Sequence, residues 1–317
     1  MTRFEHRSVM IDEVVELLRP VPPGLVVDAT VGAGGHAAAL LAELSQVTLL
    51  GLDQDGDAIE AAAATLAPFG SRVTLRQIRF DALTATMEEL EVDHITGALF
   101  DLGVSSPQFD RAERGFSYRF EGRLDMRMDQ RQPRTADDIV NHEDEQSLAR
   151  ILHEHGDERY ARRIARAIVA ARPLHTTTEL ADVVRNAIPA PARRRGGHPA
   201  KRTFQALRIE VNDELGVLPS ALDQVIDALA PRGRCVVISY HSGEDRIVKD
   251  RFRQAATGGC TCPPGLPCTC GATPVARELR PLKRRPSAAE RAVNPRADSA
   301  VMRAVERLPL DTDRAAD

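Results

Sequence analysis

The chain has 317 residues, 43% hydrophobic and 28% charged, enough for one large or two ordinary domains with a substantial core. No tryptophan and only 4% aromatics argue against extensive base stacking, and a net charge of −4 does not advertise nucleic-acid binding. The amino terminus is a mixed-charge amphipathic stretch, no apolar run approaches about 18 residues, and four of five cysteines are clustered, which excludes a secreted disulfide framework and a membrane span. A cytoplasmic protein is expected.

Residues 9–19 read as an amphipathic helix, with Met10, Ile11, Val14, Leu17 and Leu18 on one face and Pro20, Pro22, Pro23 and Gly24 ending it. Leu25-Val-Val-Asp28 is then a strand running into a glycine-rich turn, followed by a helix over Ala37–Leu44. Val47–Leu52 is a second strand ending at Asp53, and Ala58–Leu66 an alanine-rich helix. Val73–Ile78 is a third strand with Phe80 beyond its end, and Ile95–Phe100 a fourth that closes on Asp101. Strand-then-helix units of this kind predict a parallel α/β sheet with its ligand site at the carboxyl ends.

The pattern changes after residue 103. Residues 103–134 are dense in Pro, Gly, Arg and Asp and show no period. From Thr135 to about Ala187 the chain is helical, with a capping box at Thr176–Glu179 and one face formed by Tyr160, Ile164, Ile168 and Ala171. Sheet character returns at Arg234–Ser239, flanked by helices over Ala221–Ala230 and from Glu244, with Val301–Val305 as a last strand. The expected architecture is an α/β domain made of 1–105 and 208–317, interrupted by a helical domain over 106–207. Residues beyond Pro309 read as a frayed tail.

Chemistry concentrates at the strand ends. Glycines let the backbone approach a ligand, and Gly34 and Gly35 are expected to leave a helix N-terminus uncovered. Asp53, roughly 20 residues beyond the loop, is placed to accept hydrogen bonds from both hydroxyls of a ribose. Gly32, Gly34 and Ala37 satisfy the dinucleotide fingerprint G-x-G-x-x-[GA], so a nicotinamide cofactor stays open. Asp28 and the four residues before Gly32 favour instead a cofactor with a cationic ammonium and sulfonium, since a carboxylate repels a pyrophosphate. Phe80 is either core or a wall for an adenine. Asp101 either caps the next turn or accepts a proton-bearing nitrogen and aims its lone pair at a methyl group.

Three further stretches stand out. From Arg185 to Arg208 there are seven Lys/Arg (Arg185, Arg193, Arg194, Arg195, Lys201, Arg202, Arg208) and no acid, a pattern for phosphate contacts; Arg277, Arg280, Lys283, Arg284 and Arg285 form a second group. Arg159, Arg162, Arg163 and Arg166 lie along one helix side, where neighbouring acids offer salt bridges instead. Cys260-Thr-Cys262 and Cys268-Thr-Cys270 offer four thiolates to zinc, but C-x-C is tighter than the usual spacing. The default is reduced thiols in a surface loop, with no metal. Cys235, inside an apolar strand, belongs to the core. In His241-Ser-Gly-Glu-Asp-Arg246 the acids suit a helix start, and His241 is a further candidate to reach the site.

Taken together, His6-Arg-Ser-Val-Met10, Asp28-Ala-Thr-Val-Gly-Ala-Gly-Gly-His36, Asp101-Leu-Gly-Val-Ser-Ser-Pro-Gln108, Arg114-Gly-Phe-Ser117, Leu124-Asp-Met-Arg-Met-Asp129, Arg202-Thr-Phe-Gln-Ala-Leu-Arg208 and His241–Arg246 resemble the RsmH (MraW) family across nearly the whole chain. The resemblance implies a Rossmann-like S-adenosyl-L-methionine (SAM) dependent methyltransferase core with an inserted all-helical domain. It further implies methylation of a cytidine N4 in small-subunit ribosomal RNA; the assembling subunit is the expected substrate, with free RNA and a homo-oligomer left open. Carried onto this sequence, the cofactor residues are Gly34, Gly35, His36, Asp53, Phe80, Asp101 and Gln108, with Asp101 also catalytic. Gly243 stands where that family usually has a larger apolar residue, and Asp101 lacks the Pro-Pro-aromatic sequel of many amino-methyltransferases. A nicotinamide oxidoreductase and a non-catalytic RNA-binding factor with a relic pocket are the competing readings.

Overall fold

The computed structural model describes residues 8–193, 197–263 and 269–309. The chain divides into two compact units, Met1–Gly103 with Leu215–Asp317, and Val104–Glu214. The first holds seven strands: β1 Gly24–Asp28, β2 Val47–Asp53, β3 Val73–Gln77, β4 Ile95–Asp101, β5 Leu229–Ser239, β6 Ala276–Glu278 and β7 Val301–Arg307. They form one sheet in the order β3-β2-β1-β4-β5-β7-β6. Neighbours from β3 to β5 pair parallel; β7 runs antiparallel to β5, and β6 antiparallel to β7.

Successive residues of a strand point to opposite faces, and both faces of this sheet are covered, so its central strands are continuous apolar runs. Val26, Leu99, Val236 and Ile238 pack with Val14, Leu18 and Leu40 from helices Ile11–Leu18 and Gly35–Glu43. Val27, Phe100 and Val237 pack the other way, with Met87, Leu222, Val225 and Phe252. Cys235 sits in this second layer, as expected, and burial pushes its thiol up.

β5 begins at Leu229, five residues before the apolar period returns at Arg234. Its pairing with β4 jumps from Ile95↔Leu229 to Gly97↔Arg234 around Arg232, whose φ is 66°. That irregularity hides the first part of the strand from a periodicity argument. β6 escapes it too, being three residues long on the sheet edge.

The second unit is helical: Ala136–His142, Glu145–Gly156, Ala161–Ala171, Thr177–Ala187 and Lys201–Asn212 share a core of Ile139, Leu152, Ile164, Ile168, Val184 and Leu207. Capping boxes start two of these helices, at Thr135/Asp138 and at Thr176/Glu179. Ala171, expected on the buried face, is exposed at the end of its helix. Lys201–Asn212 is continuous and buries Phe204, Leu207 and Val211, so this unit extends to Glu214 rather than closing at residue 207. Among the described residues no helix is long and apolar enough to cross a membrane.

Candidate active site at the strand ends

The order β3-β2-β1-β4 reverses direction at β1, and in such sheets ligands enter at the carboxyl ends beside the reversal. β1 ends at buried Asp28, whose Oδ1 accepts the Thr30 N–H at 3.2 Å. Gly34 then caps the helix Gly35–Glu43 in the left-handed conformation at φ 83°, where a Cβ would lie 3.2 Å from Leu66 Cγ. A Cβ on Gly35 would collide with Ser8 Oγ. The helix start is therefore not bare, as the sequence suggests, but has the Ser8 hydroxyl packed against it.

His36 is buried, with Nε2 2.9 Å from the Val9 carbonyl oxygen and Nδ1 3.6 Å from Asp101 Oδ2. β2 ends at Asp53, whose two oxygens accept the N–H groups of Gly32 at 3.0 Å and Asp55 at 2.9 Å. The Gln54 N–H adds a third backbone contact, and a carboxylate with about four lone-pair sites retains some acceptor capacity beyond these. Phe80 opens the short helical turn after β3, and its ring meets the buried Phe100 ring edge-on at 5.6 Å. It is thus half core and half surface. β4 ends at Asp101, whose N–H donates to Thr30 Oγ1 at 2.7 Å and whose Oδ1 accepts the Tyr240 hydroxyl at 2.6 Å.

Six of the seven cofactor candidates, Gly34, Gly35, His36, Asp53, Phe80 and Asp101, thus lie at or just beyond the carboxyl ends of β1–β4. Gln108 belongs to the helical unit, where its buried side-chain oxygen accepts the Ser105 N–H at 3.0 Å. Sequence reasoning misses Tyr240 and Thr30. The available signal for Tyr240 is its place directly after β5, matching Asp101 at the end of β4. His241, a further candidate from the sequence, caps the helix Ser242–Thr257 by accepting the Glu244 N–H, in a capping box. Gly243 has its reason in the same turn, since a Cβ would lie 3.1 Å from the His241 ring and 3.2 Å from Leu215.

The electrostatics select a class of ligand. Burial pushes the Asp28 carboxyl up to about 7, against the pull of His36 and the Thr30 N–H and with help from Asp101 and Asp53. Burial pushes Asp53 up to about 6, despite its backbone hydrogen bonds. Tyr240 is raised well above its ordinary value by burial and by the Asp101 charge, so it remains a donor at neutral pH. Crowded, reluctant carboxylates would repel a pyrophosphate and gain from a cation. The set of carboxylates is compatible with the ammonium and sulfonium of SAM.

The basic stretches are less free than they look. Arg208 is paired with Glu214 at 2.7 Å, both largely buried, and Arg185 reaches Asp182 at 2.9 Å. Arg193 donates to the Ile188 carbonyl and Arg202 to that of Asp157. Arg194 and Arg195 lie outside the described residues, as do His6, Arg7, Cys268 and the tail. In the second group Arg277 pairs with Glu306, Arg284 approaches Glu16 and Lys283 approaches Asp245. Arg166 pairs with Glu145. Six of these residues, Arg166, Arg185, Arg208, Arg277, Lys283 and Arg284, are thus in ion pairs.

Residues 3–308 match the model of the MraW methylase family. The chain is 54% identical over 320 residues to "Ribosomal RNA small subunit methyltransferase H" of Acidothermus cellulolyticus, covering 98% of this chain and 96% of that one. To the protein of the same name in Symbiobacterium thermophilum it is 49% identical over 310 residues, covering 96% and 97%. Among solved structures, an rRNA methylase from Streptococcus thermophilus aligns over 98% of this chain and 99% of that one, at 12% identity and a TM-score of 0.43.

Proposed function

The chain belongs to the MraW methylase family, and on that premise we propose that it methylates the exocyclic N4 of a cytidine in small-subunit ribosomal RNA. SAM is the methyl donor, and it supplies an electrophilic methyl group on a sulfonium. Asp53 binds the ribose hydroxyls and Phe80 walls the adenine. The Gly34-Gly35-His36 turn completes the cofactor contacts of this unit, and Gln108 is the residue that the family resemblance adds to them. The observation that carries the reading is Asp101, which its own strand, Thr30 and Tyr240 hold at the end of β4.

An exocyclic amine conjugated with its ring is a poor nucleophile, so orientation and a polar acceptor must supply the activation. Tyr240 occupies Oδ1 of Asp101 as a donor, and the carboxylate keeps acceptor capacity for an N4–H. Methylation at C5 would instead need an attacking thiolate. Cys235 is in the core with its thiol pushed up, and Cys260, Cys262 and Cys270 lie in the loop before β6, which favours N4. Lys201 and Arg202, with Arg194 and Arg195, make the phosphate contacts. Removing those four charges should lower the salt slope of RNA binding by up to about 0.7 per lost contact on a single strand; an unchanged slope removes them from the interface.

The deciding experiment incubates small subunits with the protein and methyl-labelled SAM, then identifies the labelled nucleoside by mass spectrometry. N4-methylcytidine is expected. Label in 5-methylcytidine, or in no cytidine at all, overturns the proposal.

A further inference from the structure

Between the helix Ser242–Thr257 and β6 the chain runs from Thr257 to Val275 without a charged residue, in a protein that is 28% charged. Its described part is short of apolar side chains that could form a core of its own. Backbone contacts pin both ends. The Gly259 N–H donates to the Gln254 carbonyl at 3.2 Å and the Cys260 N–H to that of Thr257 at 3.2 Å. On the return, the Val275 N–H donates to the Ala255 carbonyl at 2.9 Å. Gly258, at φ 61°, ends the helix, and a Cβ there would lie 2.5 Å from the Thr273 backbone, so the returning chain is laid directly across the helix end.

This crossing brings three thiols together. The sulfurs of Cys260, Cys262 and Cys270 all lie within 4.8 Å of one another, and no disulfide joins the described cysteines. A tetrahedral zinc with Zn–S bonds of about 2.3 Å needs its sulfurs about 3.8 Å apart. A side-chain adjustment of about 1 Å or less therefore converts the cluster into three corners of that tetrahedron. The backbone N–H groups of Thr269 and Cys270 approach the Cys262 sulfur, so the loop backbone orients this ligand. Soft sulfur donors favour zinc over calcium or magnesium. Three thiols cannot all be consumed by one disulfide, whereas one metal ion uses all three.

We propose that Cys260, Cys262 and Cys270 form a structural zinc site that staples the segments 258–263 and 269–275 to each other at the end of the helix Ser242–Thr257. On binding, each thiol releases its proton to solvent, three Zn–S bonds form, and the fourth coordination position is filled by water or another donor. Cys268 lies outside the described residues and is no part of the site argued here. The site is remote in sequence from Asp28, Asp53 and Asp101, and its role is to hold fold rather than to react.

The test uses the full chain purified under reducing conditions without chelator. Elemental analysis should find about one zinc per chain. A chromophoric chelator should compete for it, and cobalt substitution should give thiolate-to-cobalt charge-transfer absorption. Cys262→Ser and Cys270→Ser should each weaken zinc binding at least about tenfold. In the wild-type chain, zinc should slow amide exchange across 258–275, a readout that does not depend on any variant folding. Fully reduced protein that takes up no zinc on titration overturns the proposal. So does a disulfide among these cysteines in protein kept under reducing conditions, or a zinc affinity unchanged in both serine variants.

Discussion

Asp28, Asp53, Asp101 and Tyr240 take their positions from a hydrogen-bonded ladder: each stands at or just beyond a strand whose neighbours fix its height and direction. Residues 111–132 of the helical unit have no ladder. There the backbone is held by scattered contacts, such as the Met126 N–H to the Arg114 carbonyl at 3.0 Å and the Asp137 N–H to that of Leu124 at 2.7 Å, and by side chains. Arg114, buried, donates to the carbonyls of Arg127 and Met128 at 3.0 and 3.2 Å. Asn212 donates to the carbonyls of Met126 and Arg208, both at 2.8 Å, and accepts the Met128 N–H at 2.7 Å. Arg127 grips Asp125 through two contacts at 2.9 and 2.8 Å. Burial alone would raise the Asp125 carboxyl, but Arg127 holds it below its ordinary value. The first region should keep its shape on loss of one side chain; the second depends on its side chains as well as on those scattered backbone bonds. Mutations should therefore separate chemistry from folding between the two.

The largest effect should come from Asp101→Asn, which keeps the shape and removes the charge. Methyl transfer in a single turnover should slow by roughly 10²–10⁴-fold, while thermal stability and much of the SAM affinity survive. Tyr240→Phe leaves the carboxylate but frees Oδ1, and should slow transfer by about tenfold. Full-rate transfer by Asp101→Asn would leave the carboxylate with no chemical role.

Asn212→Ala should do the reverse. It strands the Met128 N–H and the Met126 carbonyl, while the Arg208 carbonyl keeps its helical partner, and at about 1–3 kcal/mol for an unsatisfied group the unit should lose on the order of 3 kcal/mol. Urea unfolding measures this. Cofactor affinity should stay near wild type. A stable Asn212→Ala protein would mean that the loop has other support and that the contrast between the regions is false.

These two regions also differ in how far the sequence discloses them. The strands announce themselves because a sheet covered on both faces needs unbroken apolar runs, and their ends carry Asp28, Asp53 and Asp101 in plain view. The loop 111–132 has no period because its order comes from partners far along the chain; Asn212 is 84 residues from Met128. Tyr240 stays hidden for the same reason, since its partner Asp101 is 139 residues away. The family resemblance supplies the loop motifs as conserved-looking words without their physics. Asn212 falls just beyond the last of those words before His241.

Third in size is Asp53→Ala. If this carboxylate takes a ribose diol, its removal costs charge-assisted hydrogen bonds of about 1.5–3 kcal/mol each. Calorimetry with S-adenosylhomocysteine should show the loss. The same substitution also releases the N–H groups of Gly32 and Asp55, so thermal stability should be measured alongside. Unchanged affinity would remove Asp53 from the cofactor site.

The smallest effect, and the one that tests the electrostatic reading, is the pH dependence of cofactor binding. Asp28 is raised from 3.8 to about 7 and Asp53 from 3.8 to about 6 in the folded chain. A raised carboxyl favours folding in its protonated form. This contribution is full below 3.8 and is lost as pH rises through about 6 and about 7. A bound cation offsets the cost of ionisation and pulls both groups down, so binding releases protons in that window and tightens as pH rises. Between about pH 5.5 and about pH 8 the affinity for SAM should rise on the order of tenfold, since one unit of pKa depression is tenfold in binding. S-adenosylhomocysteine, which lacks the sulfonium charge, should show a shallower rise. Asp28→Asn should flatten most of the dependence while leaving an acceptor for the Thr30 N–H. Calorimetry in buffers of different ionisation enthalpy counts the protons directly. Binding that weakens with rising pH, or an Asp28→Asn variant with the wild-type profile, would show that these carboxyls do not face the cofactor's positive charge.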